Sequence, residues 1–267
     1  MKKMEKPKRR SAVRLKLGQM YHTSKRHMCW LFGGINFAKI GDFDAEFDHF
    51  SHKTPLIRKL KGTDMVLQHN KVINLKIAAA KVDGMVLRPG QVFSFWRLIG
   101  QPTKAKGYVA GMVLQSGRVK SGIGGGLCQL SNLIYWMTLH TPLTITERHR
   151  HGYDVFPDAD RTQPFGSGAT CFYNYGDLMI KNNTSLTFKI NLSVGQSHLH
   201  GAWLADFAPT HRYVVYEKEH LIKSEFWGGY TRHNLIHRRK YDADDNLAAD
   251  EFVSENHAIM MYNPLLA

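Results

Sequence analysis

The most constraining stretch of this 267-residue chain is its centre, SGIGGGLCQLSNLIYWMTLHTPL, where Gly122, Gly124, Gly125 and Gly126 give way abruptly to Leu127. So permissive a backbone marks a loop with close approaches rather than a regular element. The residues after it are helical: Leu127, Leu130, Ile134 and Met137 form one apolar stripe, closed before Pro142. A glycine loop that opens a helix suggests a phosphate site, but two such sites are excluded. A P-loop needs Lys and Ser/Thr directly after its last glycine, and Gly126 is followed by Leu127 and Cys128. A dinucleotide fingerprint needs a third glycine where Leu127 stands, within alternating strands and helices.

The segment does suit a thiol nucleophile. Cys128 falls at the first or second helical position, where free N–H groups and the helix dipole favour a thiolate. The amides of Gly125 and Gly126 are placed to hold an oxyanion. The competing reading is a structural thiol under a helix, the commoner fate of a lone cysteine. His149 and His151 follow in LTITERHRHGYDVF, which alternates like a strand, so the two rings are expected on one face. A helix carrying Cys followed by a strand carrying His is the arrangement of papain- and transglutaminase-like sites, where a third polar side chain orients the imidazole. Alternatively, both histidines, with Arg148 and Arg150, form a solvated basic face.

No metal or cofactor is expected. His198 and His200 repeat the His149/His151 spacing, but no Cys or carboxylate stands at ligand spacing. The run DADDN at 242–246 lacks the glycine and glutamate of a calcium loop and reads as a turn.

Elsewhere, VINLKIAAAKVDG carries Leu75, Ala78, Ala79 and Val82 at helical spacing, with Gly84 as its stop. Pro89-Gly90 marks a hairpin-like turn between short apolar runs, and residues 40–63 read as polar and irregular. GYVAGMVLQSGRV, ATCFYNY, DLMIKNN and LTFKINLSV read as strands, and two long alternating runs after Gly201 read as a β meander. The expected architecture is α+β: a central helix with Cys128 at its N-terminus packed on a mostly antiparallel sheet, plus the meander. The expected division is a basic tail (1–28), a helical and irregular segment (29–64), a main domain (65–200) and a C-terminal β extension (201–267).

Net charge is +14, but residues 1–28 hold ten Lys/Arg against Glu5 alone. The folded body is therefore nearly balanced, and no nucleic-acid partner is expected. The alternation of charge with Val13, Leu15, Leu17 and Met20 predicts an amphipathic helix suited to an anionic membrane surface, or simply a docked helix with a solvated basic face. Cys29, Cys128 and Cys171 are too few for a disulfide framework. No apolar run approaches the ~20 residues of a bilayer span, and Met28–Ala38 is too broken for a signal peptide. The expected location is cytoplasmic, peripheral at the inner membrane face.

Several segments together resemble the VanW family: Pro89-Gly90 with FSFW, Gly107-Tyr108, GIGGGLCQLSNLIYW, HTPLTITERHRH, GSGAT at 166–170, and GDLMIKNNTSLTFKI. The resemblance spans about residues 65–200 and implies a peptidoglycan context with a link to glycopeptide resistance. It further implies an L,D-transpeptidase-like acyl transfer on stem peptides or their precursors. In that reading Cys128 is the nucleophile and His151, the histidine of ER-x-x-H, the base. Gly125, Gly126, Gln129, Arg148 and His149 would line the site. The family commonly carries Asp where this chain has Gly168, leaving Asp177 or Asp154 as substitutes. The alternative is a non-catalytic accessory or precursor-binding protein with a degenerate site.

Overall fold

The computed structural model describes residues 10–57, 65–115, 117–155 and 163–265. In chain order the described elements are α1 (Ala12–Phe32), β1 (Lys39–Ile40), β2 (Phe47–Pro55), α2 (Met65–Ala79), β3 (Met85–Leu87), β4 (Val92–Ser94) and α3 (Phe95–Ile99). The hairpin β5 (Ala110–Gln115) and β6 (Arg118–Ile123) leads into α4 (Cys128–Leu139), then β7 (Thr144–Glu147) and β8 (Tyr153–Asp154). The remainder is β9 (Met179–Lys181), β10 (Phe188–Val194), β11 (His198–Ala205), β12 (Arg212–Ser224), β13 (Tyr230–Tyr241) and β14 (Leu247–Met260).

The expected α+β class holds. The largest sheet has the order β1-β3-β10-β11-β2, with every neighbouring pair antiparallel. Alternation along β11 turns Leu199, Gly201, Trp203 and Ala205 inward and His200 outward. The inward face receives α4. A Cβ on Gly201 would sit 2.8 Å from Met137, so glycine permits that close approach. Trp203 Nε1 donates to Thr138 Oγ1 (3.1 Å), and Phe50 of β2 stacks on His140 at 3.9 Å between centroids. A smaller sheet, β4-β9-β7, and the β12-β13-β14-β8 sheet complete the body.

The C-terminal meander is fastened to α4 by cations. Arg238 Nη1 donates to the carbonyls of Leu139 (3.0 Å) and Thr141 (2.9 Å), placing positive charge at the helix C-terminus where the dipole favours it. Phe165 lies between the guanidinium groups of Arg150 (3.9 Å) and Arg232 (4.4 Å).

Local readings are corrected at four places. Residues 40–57 include strand β2, an edge strand whose polar, half-exposed faces disguised its alternation; residues 58–64 lie outside the described residues. Pro89-Gly90 does not close a hairpin, because β3 pairs with β1 and β10 while β4 pairs with β9. ATCFYNY forms a tight turn with only the Phe172–Gly176 bridge. The predicted strand over 143–156 is interrupted: β7 ends at Glu147, and Arg148–Gly152 is a loop because the Arg148 and Arg150 side chains anchor to the 165–168 segment instead of alternating.

The N-terminal basic region beyond residue 11 is one helix, capped by Ser11 Oγ accepting from Arg14 N. Its last turns dock onto the body through Arg26, His27 and Trp30. Among the described residues, no helix is long and apolar enough to cross a membrane.

The glycine run sets the position of α4. Gly125 packs so tightly on Gly111 of β5 that a Cβ on either would overlap the other's carbonyl. Gly125→Ala should therefore lower stability by about 1–3 kcal/mol through overpacking. Gly152→Ala, with open space at its Cβ position, should be near neutral. Urea denaturation checks both, and equal effects would contradict the packing argument.

Candidate functional site

The site is assembled where α4 begins. Leu127 precedes the helix without a side-chain cap, and Cys128 is its first residue. The Gly125 amide, expected as an oxyanion donor, is instead committed to Gly122 O (3.0 Å), because the glycine loop closes a turn there, whereas the amides of Gly126, Leu127 and Cys128 have no backbone acceptor among the described residues. Two α2 residues hold the loop. Asn74, fully buried, donates to Gly125 O (2.9 Å) and Val109 O (3.1 Å) and accepts from Val109 N (2.9 Å). The stem of the buried Lys71 lies against Gly126, whose φ of +93° together with this contact requires glycine.

Cys128 Sγ lies 3.9 Å from the carbonyl oxygen of Cys171, a weak contact that only the thiol form donates. Burial pushes the Cys128 thiol above its ordinary range, and nearby backbone groups of Cys171 and Cys128 itself offset this only in part. This direction is opposite to the lowering expected at a helix start. Cys171, buried next to it, is raised further by its own desolvation.

His151 does not hydrogen-bond Cys128. Its ring packs edge-on against Phe172 (5.6 Å), the residue after Cys171. Burial, with Arg150 adding to it, lowers its pKa and so favours the neutral imidazole. His149 takes a different partner, with Nε2 2.8 Å from Glu147 Oε1. Both rings lie on the loop after β7, so the expected shared strand face does not exist.

Gln129 Nε2 donates to Thr54 Oγ1 (3.0 Å) and Pro55 O (2.8 Å), tying α4 to the end of β2. Arg148 Nε donates to Gly168 O (2.9 Å), and its Nη2 donates to Gly166 O and to Asn256 Oδ1 (3.2 Å). The guanidinium also lies 4.8 Å from the Tyr135 ring centroid. Both side chains therefore carry structural bonds at the rim of the site.

Gly168 is filled from elsewhere. A Cβ there would stand 2.8 Å from Asn132 Oδ1, which accepts from Ala169 N at 2.7 Å. Neither substitute carboxylate reaches His151. Asp154 pairs with Arg232 (3.3 Å) and Tyr262 (3.0 Å). Asp177 accepts from Ser94 Oγ (2.5 Å), Trp96 N (3.0 Å) and Leu178 N (2.9 Å).

Glu147 is the hub that sequence reasoning left without a role. Its Oε1 accepts from Arg26, His149 and the backbone N–H of Asp177 (3.0 Å). Burial alone would raise its pKa; the hydrogen bonds from His149, Arg26 and Asp177 N instead hold it at about 2. Arg26 belongs in sequence to the basic stretch 1–28, and no local spacing links it to residue 147. Among the described residues, no three metal-ligating side chains converge, and His198 and His200 lie apart from this site on β11. A shallow depression of about 850 Å³ lies on the sheet face opposite α4, lined by Lys53, Asn191, Ser193 and His200 among others. It is the polar, solvated side usual for an antiparallel sheet covered on one face.

With this geometry in place, comparison with known proteins gives a consistent class. A family model described as VanW like protein matches residues 70–204. The chain is 34% identical over 197 residues to the vancomycin B-type resistance protein VanW of Enterococcus faecalis (strain ATCC 700802 / V583), covering 72% of each protein. It is also 31% identical over 104 residues to the uncharacterized protein YoaR of Bacillus subtilis (strain 168), covering 38% of this chain and 34% of that one. No solved structure matches. The chain belongs to the VanW-like family.

Asp177 gives the site a pH signature. Burial raises its pKa from 3.8 to about 6, against the lowering by Ser94, Trp96 N and Arg26. A raised carboxyl stabilises the fold below its unfolded pKa and loses that contribution as pH climbs through its folded pKa. The stability difference between wild type and Asp177→Asn should therefore shift against the wild type between pH 4 and 7, as urea midpoints would record. A pH-independent difference would contradict the burial of this carboxyl.

Proposed function

We propose that this protein serves cell-wall metabolism as an accessory protein that binds a peptidoglycan stem peptide, or its cytoplasmic or membrane-bound precursor, at the start of α4. The observation that carries this reading is the placement of Cys128: its Sγ rests 3.9 Å from the Cys171 carbonyl oxygen, and among the described residues no histidine hydrogen-bonds it. A self-activated cysteine acyltransferase requires a thiolate or a base within reach of the thiol proton.

Binding chemistry remains after the catalytic requirement is removed. The amides of Gly126, Leu127 and Cys128 and the helix dipole behind them favour a carboxylate, and a stem peptide ends in one. The similarity to a vancomycin B-type resistance protein supports the cell-wall context. The glycopeptide link and the stem-peptide ligand are proposals of the same reading. So is L,D-transpeptidase-like chemistry, with Cys128 as nucleophile and His151 as base, which forms its competing version. That version needs a rearrangement on binding that brings His151 onto Cys128, and it must do so without the carboxylate that Gly168 replaces.

The test uses the full chain and a synthetic stem tetrapeptide. Calorimetry should detect binding, and Cys128→Ala should keep the dissociation constant within about twofold, a change of under ~0.5 kcal/mol. Intact-mass spectra should show no adduct, with no exchange of the peptide onto an acceptor amine. A covalent adduct lost in Cys128→Ala would overturn the accessory reading in favour of the acyltransferase. Absence of binding would overturn both ligand and site.

A further inference from the structure

Helix α1 leaves an apolar stripe facing away from the body. Val13, Leu17, Met20, Met28 and Leu31, with Ser24 between them, recur at intervals of four, three, four, four and three residues, which places them along one side of the helix. Tyr21 and Phe32 widen that side. All seven large side chains are exposed, from 58 % for Met20 to 76 % for Phe32. The docked side is a different one: Thr23, Arg26 and Trp30 are half-buried, Arg26 meets Glu147, and Arg97 Nη1 reaches Trp30 O at 3.5 Å. The body thus anchors one face of the last turns, and the described residues leave the stripe without cover.

Charge decides what covers it. The helix carries Arg14, Lys16, Lys25 and Arg26 and no Asp or Glu, and six further Lys/Arg precede it against Glu5 alone. Pairing two copies along this stripe would set like charges beside one another without any compensating carboxylate on the helix. A polynucleotide would use the charge but leave the apolar side chains in water. An anionic bilayer surface satisfies both features: apolar residues enter the acyl boundary while flanking lysines and arginines meet headgroups.

We propose that α1 is a membrane-surface helix, inserting its Val13–Leu31 stripe into the interface of an anionic bilayer while Arg14, Lys16 and Lys25 bind lipid headgroups. The docked turn around Arg26 and Trp30 then fixes the body to the membrane-bound helix. This inference is independent of the ligand reading at α4.

The test is flotation of the full chain with vesicles of phosphatidylcholine alone or mixed with phosphatidylglycerol. The expected result is at least ~tenfold greater recovery with the anionic vesicles. Leu17→Glu combined with Met20→Glu should reduce that recovery roughly tenfold. Both positions are exposed, so the fold is expected to persist, which far-UV circular dichroism verifies. Phe226→Glu, altering an exposed aromatic on the β12–β13 turn, should leave recovery unchanged. Equal recovery with both lipids would overturn the proposal. So would equal recovery of the stripe variant, which would indicate adsorption by charge alone. Self-association of the wild type that the stripe variant abolishes, without vesicle binding, would instead make the stripe an interface between copies.

Discussion

The contact between Gly125 and Gly111 is the constraint on which the rest of the structure depends. Two backbones meet there at a distance that admits no side chain on either, and Asn74 of α2 bonds both strands of the approach. A fully buried amide is costly unless satisfied, and Asn74 is satisfied by this loop. The contact therefore locks α2, the β5–β6 hairpin and the start of α4 into one unit. From that start, α4 runs across the inward face of β11 and β2, and Arg238 closes its far end. Cys128 is consequently held in a rigid position at a junction of three elements.

Rigidity at a helix start does not by itself activate a thiol. The dipole contributes typically 0.3–1 kcal/mol, and about 2 kcal/mol in favourable partly buried geometries, whereas full burial can move a titrating group by several pKa units in the opposite sense. Cys128 is only partly exposed, and desolvation of its thiol acts against the dipole. The polar groups able to counter it are engaged elsewhere: His149 bonds Glu147, Asp177 bonds Ser94 and Trp96, and Asp154 bonds Arg232. Asn132 occupies the space beside Gly168. The loop from Arg148 to Gly152 and the segment around Gly166 are organised as a support for α4 and the meander, with Arg148 at their centre.

Much of this was legible in the sequence because it is written in local periods. The α4 stripe, the α2 stripe before Gly84 and the alternation of β10, β12 and β13 each follow from side-chain spacing alone. Two failures have causes of other kinds. β2 is an edge strand with mixed polarity, so its period carried no contrast. The ERHRH run alternates in composition, yet its arginines are anchored by Gly166, Gly168 and Phe165, some eighteen residues away in sequence. The same limit hid Glu147, whose partners Arg26 and Asp177 lie 121 and 30 residues away. Cys128 was found from its position after the glycines, but its protonation depends on surrounding atoms that a spacing rule does not count.

The neutral thiol at the start of α4 is the central claim, and alkylation of Cys128 by iodoacetamide across pH 4 to 10, followed residue by residue by mass spectrometry, tests it most directly. The account predicts that Cys128 reacts only at alkaline pH, with a midpoint above the ordinary thiol value of ~8.5. A midpoint well below pH 8 would show a poised thiolate and contradict it.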